Sequence, residues 1–350
     1  MKLDNWNING NAGFARLVGG VVLILTLSSC ASTQGPQVRV LDGEMESAPE
    51  VFFGLPLSSG QIIVSESGGP LSFFFSLFTE EFYPFVHAGI IVIEDGEPFV
   101  VEAAGTYLPG VGATPTLSII GGGVLKTPLE QLVRRQRYVE IYEPPTMVDR
   151  EKMVEFALAT HKAKTPFDPY FNNQEHEALY CTEFIALALV AGGHDPIKPV
   201  LNRKNESLGV MLKWLNITST ETILAGSFIE PDRYVGTLGT FPSRRKMRLF
   251  NELKRELHAR FTPDQKLGNI FRVENKNLRF REPVYRFLNE GLNLFDFVAE
   301  EPDLDTMRQA IKVLADEMLG EVPQLALQSL VGPGQGQGRM AEVRLERNFK

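Results

Sequence analysis

Two scarce residue types in this chain could do chemistry: cysteine, present at 30 and 181 only, and histidine, present five times. Cys181 opens the apolar run Cys181-Thr182-Glu183-Phe184-Ile185-Ala186-Leu187-Ala188-Leu189, which stops at Gly192-Gly193. That pattern predicts a helix with the thiol in its first turn. Free backbone N–H groups and the positive end of the helix dipole favour a thiolate there. The same N–H groups can receive an oxyanion. A lone cysteine is otherwise a small buried hydrophobe in most proteins, so a nucleophile at 181 needs a base to support it.

A hairpin offers that base. Residues 86–93 and 98–103 are apolar strand candidates joined by Glu94-Asp95-Gly96-Glu97, and Asp-Gly between two apolar runs signals a two-residue turn. With that turn Glu94 faces Glu97 and Gly89 faces Glu102. His87 and Glu102 are then diagonal neighbours on one face, roughly 7–8 Å apart. Gly89 carries no side chain to fill the space between them. Glu102 can accept a hydrogen bond from one imidazole nitrogen, fix the tautomer, and leave the other nitrogen as a base. The competing reading is a satisfied strand histidine beside an exposed glutamate. A register slip of one residue would put the two side chains on opposite faces.

Other chemistries are weaker. Two cysteines exclude a disulfide framework and a zinc site built from several thiolates. His161, His194 and His258 sit in polar or charged stretches. His176, between Glu175 and Glu177, has no second ligand at helical spacing, so neither a metal nor another cofactor is expected. The glycines 121–123 precede no Lys-Ser/Thr and read as a flexible turn, not a phosphate loop. Asp168 either shapes the rim of a site or makes a plain turn before Pro169. The formal net charge of -8 over 350 residues argues against nucleic acid as the main partner.

Several elements must position these groups. Residues 61–64 form a short buried strand candidate. A segment rich in aromatics, Phe73, Phe74, Phe75, Phe78, Phe82, Tyr83 and Phe85, reads as core or as a lipid-binding lid. Residues 138–142 form another strand, and 149–164 have helical spacing with Asp149 as cap. Beyond 240 the chain changes character: 243–261 and 303–319 are amphipathic helices, and 278–300 is helical in part. The helix at 243–261 carries Arg244, Arg245, Lys246, Arg248, Lys254, Arg255 and Arg260. Such a run is a solvated face or a contact for anionic head groups. The organisation expected is 1–29 signal peptide, 30–55 tether, 56–240 an α+β catalytic domain, 241–331 a helical region and 332–350 a flexible tail.

Taken in order, the segments Gly60-Gln61-Ile62-Ile63, His87-Ala88-Gly89-Ile90-Ile91-Val92, Phe99-Val100-Val101-Glu102-Ala103, Thr165-Pro166-Phe167-Asp168 and Leu179-Tyr180-Cys181-Thr182-Glu183-Phe184-Ile185 resemble the YiiX/YebB-like group of circularly permuted NlpC-type, papain-like cysteine hydrolases. The resemblance spans roughly residues 57–200. It implies an antiparallel sheet packed on a Cys-bearing helix, with the histidine strand preceding the cysteine helix. It further implies Cys181 as nucleophile, His87 as base and Glu102 as orienting residue, with Tyr180, Asp168 and Gly89 at the rim of the site. This chain departs from the group at Val86, where a small polar residue is common. The implied activity is cleavage of an amide or peptide-like bond through a thioester. Alternatives of the same fold are a thiol acyltransferase or lipid esterase. An inert binding or scaffold protein is the alternative from another class. The substrate would be a small molecule, a peptide or a lipid; the sequence does not fix an oligomeric state.

The N-terminus supplies an address. Lys2 and Arg16 precede an apolar run at 17–27, too short to cross a bilayer comfortably and typical of a signal sequence. Leu27-Ser28-Ser29-Cys30 then resembles the bacterial lipobox, which implies lipidation at Cys30 and a membrane anchor through it. Ala31 in place of an aspartate implies the outer membrane of the cell envelope, facing the periplasm. An ordinary signal peptide or an N-terminal anchor helix is the competing reading.

Overall fold

The structure is a computed structural model that describes residues 36–43, 51–79, 81–109, 117–201, 208–209, 212, 217, 219–261, 269–274 and 277–320. The expected signal sequence, Cys30 and the expected tail at 332–350 lie outside the described residues.

In chain order the elements are β1 (Arg39–Gly43), β2 (Val51–Phe52), β3 (Leu55–Pro56), β4 (Ile62–Glu66), α1 (Pro70–Ser76), β5 (His87–Glu94), β6 (Glu97–Pro109), β7 (Leu117–Pro128), α2 (Leu129–Arg135) and β8 (Tyr138–Tyr142). Then come α3 (Arg150–Lys162), α4 (Cys181–Ala191), β9 (Val200–Leu201), β10 (Glu221–Thr222), β11 (Tyr234–Gly239), α5 (Arg244–Phe261), β12 (Phe271–Glu274), β13 (Asn277–Phe280), α6 (Glu282–Gly291) and α7 (Leu304–Leu319). Among the described residues seven strands form one antiparallel sheet in the order β1-β11-β8-β4-β5-β6-β7.

Alternation along the strands sends side chains to two cores. On one face Ile62, Val64, Ala88, Ile90, Val101 and Ala103 pack with Met153 and Ala157 of α3 and with Phe184, Ile185 and Ala188 of α4. On the other, Ile63, Ile91, Val100, Val139 and Ile141 pack with Leu129, Leu132 and Val133 of α2. The fold is therefore an antiparallel sheet with a Cys-bearing helix against it. A third core joins α1 to the C-terminal helices: Phe73, Phe74, Leu253, Phe271, Phe287 and Met307 belong to it.

The β5–β6 turn is the one that Asp95-Gly96 predicts. Both residues have positive φ, 51° and 78°, as the two central residues of this turn class require. Glu94 pairs with Glu97 and Ile90 with Val101, the expected register.

Other expectations are corrected. Residues 39–43, within the stretch read as a tether, form the edge strand β1 and pair with β11; mixed charge suits an edge, whose outer side meets water. The glycines 121–123 are not a flexible turn but lie inside β7. A Cβ on Gly123 would come within 2.7 Å of the Thr165 carbonyl, so glycine lets α3's exit segment approach the strand. The basic helix α5 is not simply a solvated face. Arg244 pairs with Asp42, Lys246 with Asp296, Arg248 with Glu301 and Arg260 with Asp316, while Lys254 is sealed against Glu66. Acids distant in sequence neutralise these charges, which spacing along one helix cannot reveal.

Candidate active site

α4 begins at Cys181 because the chain caps it there. Tyr180 is the N-cap in extended conformation, and its backbone N–H donates to Glu183 Oε2 at 3.4 Å. The reach-back from the third helical residue satisfies an otherwise orphaned donor. Glu183 Oε1 also meets His176 Nδ1 at 2.7 Å. Burial pushes the Glu183 carboxyl up, His176 pulls it back, and it rests at about 7. Thr182 Oγ1 donates to the Ile223 carbonyl at 2.6 Å, and the Ile223 N–H donates to the Tyr180 hydroxyl at 3.1 Å. Residues 180, 182 and 183 thus anchor the first turn of the helix, and Cys181 between them is left to face the cavity.

His87 is the first residue of β5, at the end of the sheet where this turn arrives. Cys181 Sγ lies 3.9 Å from the carbonyl oxygen of Val86 and shares its cavity with the His87 ring. His87 Nε2 lies 2.6 Å from Glu102 Oε2, so Nδ1 is the nitrogen left for sulfur. Glu102 is fully buried. Its second oxygen, Oε1, accepts from Thr127 Oγ1 at 3.2 Å and from the Arg135 guanidinium.

Electrostatics follow from these contacts. Burial would lower the His87 pKa, but the charge and hydrogen bond of Cys181 and then Glu102 hold it up at about 10. Burial would raise that of Glu102, but His87 and Arg135 hold it down at about 2. At neutral pH the imidazole carries its proton and the carboxylate is ionised, an arrangement suited to a cysteine–histidine ion pair.

The three residues open on a cavity of about 650 Å³. Leu71, Phe75, Phe78, Phe167, Phe171 and Ile223 supply apolar lining; Ser67, Ser72, Arg135, Gln136 and Thr222 supply polar groups. Gln136 Oε1 is buried and has no hydrogen-bond partner among the described residues.

The residues expected at the rim fall elsewhere. Tyr180 is buried behind the first turn of α4. Gly89 sits inside the sheet, where an added Cβ would meet Val100 Cγ1 at 2.5 Å and Ile63 Cγ1 at 3.3 Å. The space beside it is therefore filled by neighbouring strands instead of lying open between His87 and Glu102. Asp168 lines a separate polar cavity, and its carboxylate accepts from the Tyr170 and Asn172 N–H groups at 2.8 and 2.6 Å; this is turn chemistry. Sequence reasoning missed Arg135 and Thr127. Both reach Glu102 from β7 and α2, across the sheet, so no local spacing marks them.

The profile of the permuted papain-like amidase enzyme family YaeF/YiiX, C92, matches residues 56–233. Among solved structures, metalloprotein yiiX from Escherichia coli O157:H7 is similar over 51% of this chain and 94% of its own, at 17% identity and a TM-score of 0.39. No curated protein sequence matches.

Proposed function

This chain belongs to the permuted papain-like amidase family YaeF/YiiX, and from that premise we propose that it cleaves an amide bond by thiol catalysis, with Cys181 as nucleophile, His87 as acid and base, and Glu102 as the residue that orients His87. The observation that carries the reading is one arrangement: Cys181 and His87 open on the same cavity, and His87 Nε2 lies 2.6 Å from a fully buried Glu102.

The Cys181 thiolate attacks the amide carbon, and the carbonyl oxygen takes the negative charge. The backbone N–H of Cys181, at the free end of α4, stabilises that oxygen. His87 gives its proton to the departing nitrogen as the C–N bond breaks, leaving a thioester and an amine. Water then attacks the thioester and passes a proton to His87; the C–S bond breaks, and acid and thiolate are released. Glu102, held ionised by His87 and Arg135, keeps the ring oriented and favours its charged form.

Alkylation tests the site without a known substrate. Iodoacetamide at pH 6 should modify Cys181 in the wild type and much more slowly in His87→Ala, read on the Cys181 peptide by mass spectrometry. Turnover is then sought among envelope lipids and muropeptides. Undiminished amide cleavage by Cys181→Ala overturns the reading.

The setting we propose is the bacterial cell envelope, with the chain anchored by lipid on Cys30. The support is the apolar run at 17–27 followed by Leu27-Ser28-Ser29-Cys30. Metabolic labelling with a clickable fatty acid should mark the wild type and spare Cys30→Ala; an unlabelled wild type sinks the anchor.

A further inference from the structure

α1 separates the catalytic cavity from the C-terminal helices and serves both. Phe73 and Phe74 enter the third core, while Leu71 and Phe75, with Phe78 just beyond, line the cavity. Phe75 meets Phe171 on the opposite wall, ring centres 5.6 Å apart. What fixes α1 in this place is a buried charge. Glu66 ends β4, and its Oε1 accepts from Ser72 Oγ of α1 at 2.7 Å and from the Gly68 N–H that leads into the helix. Its Oε2 meets Lys254 Nζ at 2.7 Å. Lys254 belongs to α5, beyond the matched residues 56–233. It is 1% exposed, and its ammonium lies 5.5–5.9 Å from the ring centres of Phe73, Phe82 and Phe250.

A buried lysine is costly to desolvate and stands only where an opposite charge lies close. Here the partner is the carboxylate that ties strand β4 to α1, and the surrounding rings are those of α1 and its neighbours. We infer that Lys254 is a positioning residue for the substrate's acyl group: through Glu66 it fixes α1, and α1 presents the apolar wall on which an aliphatic or aromatic acyl chain packs. The C-terminal helical layer thereby selects amides with an apolar acyl part. The inference rests on Cys181 being the reactive thiol of this cavity.

The test compares alkylation of Cys181 by iodoacetamide and by N-octyl iodoacetamide, in the full chain, read on the Cys181 peptide. In the wild type the octyl reagent should react faster by about 10-fold or more, from the added methylene burial. Lys254→Met combined with Glu66→Gln removes both charges together, so no ion is left unpaired. Its ratio should fall toward one while the iodoacetamide rate holds, a split that a general loss of structure would not give. Phe75→Asn should lower the ratio in the same way, and it carries the test should the double variant fail to fold. A wild-type ratio near one overturns the acyl wall; a ratio kept in the folded double variant overturns the role of Lys254. Failure of the underlying reading has a different signature, alkylation by both reagents that ignores His87.

Discussion

β4 and β6 flank the histidine strand, and each contributes a fully buried glutamate paired with a cation: Glu66 with Lys254, Glu102 with His87. The two pairs end differently. His87 keeps 16% of its side chain exposed, beside a cavity that also receives Cys181. Lys254 is enclosed by three phenylalanine rings. Both carboxylates also accept from further donors, Thr127 and Arg135 for Glu102, Ser72 and Gly68 for Glu66. A buried ion pair is therefore not in itself a mark of catalysis. What separates the two is whether the cation can pass its proton to something that enters from outside.

The largest expected effects fall on opposite sides of this contrast. Cys181→Ala and His87→Ala should each cut turnover by about 10³-fold or more, and Cys181→Ala should do so with little change in the urea midpoint. Lys254→Met alone should do the reverse. It strands Glu66 in a dry site and should cost about 3–5 kcal/mol of unfolding free energy, while Cys181 in the folded fraction still reacts with iodoacetamide. A Lys254→Met protein as stable as the wild type would remove the structural half of the comparison.

The His87–Glu102 half was the more legible one, for a physical reason. His87 and Glu102 are joined by a hairpin whose turn type and register follow from Asp95-Gly96, and Cys181 is placed by a helix start visible in the apolar period. These are local rules, and they carried the pairing through to the folded state. Glu66 and Lys254 lie on elements nearly two hundred residues apart, and nothing in either neighbourhood names the other. The same limit explains the misread glycines at 121–123. Their spacing suggests a turn, and only the approach of Thr165 to Gly123 reveals why a strand needs them. It also explains Asp168, whose carboxylate is spent on two nearby N–H groups, although its place in the sequence suggested the rim.

An intermediate effect is expected at Glu102. Glu102→Gln keeps the shape and a hydrogen bond but loses the charge, and should slow turnover by about 10- to 100-fold. Its stability effect has a pH window. Glu102 drops from 4.5 to about 2 on folding, so its contribution is present above 4.5 and lost as pH falls toward 2. His87 rises from 6.5 to about 10, so its contribution is complete below 6.5 and lost as pH rises through 10. The stability gap between wild type and Glu102→Gln should be widest between pH 4.5 and 6.5 and narrow on both sides. A gap that does not change with pH would mean that the His87–Glu102 contact is a neutral hydrogen bond, and the contrast with the sealed pair would have to be drawn elsewhere.

The smallest effect tests the contrast within one helix. Arg244 and Lys254 both lie on α5, and both meet an acid of the sheet: Arg244 reaches Asp42 of β1 at 3.2 Å, Lys254 reaches Glu66 of β4 at 2.7 Å. Water still covers half of the Arg244 side chain and a third of Asp42. Their attraction is screened, and ordering two flexible side chains offsets most of what remains. Arg244→Gln should therefore change the unfolding free energy by no more than about 0.5 kcal/mol, and added salt should erase even that. Urea unfolding of Arg244→Gln beside Lys254→Met measures what sealing from water does to a cation on the same helix. If the two cost the same, it is not enclosure by the rings that holds α5 to the sheet, and the wall that α1 offers the cavity needs another support.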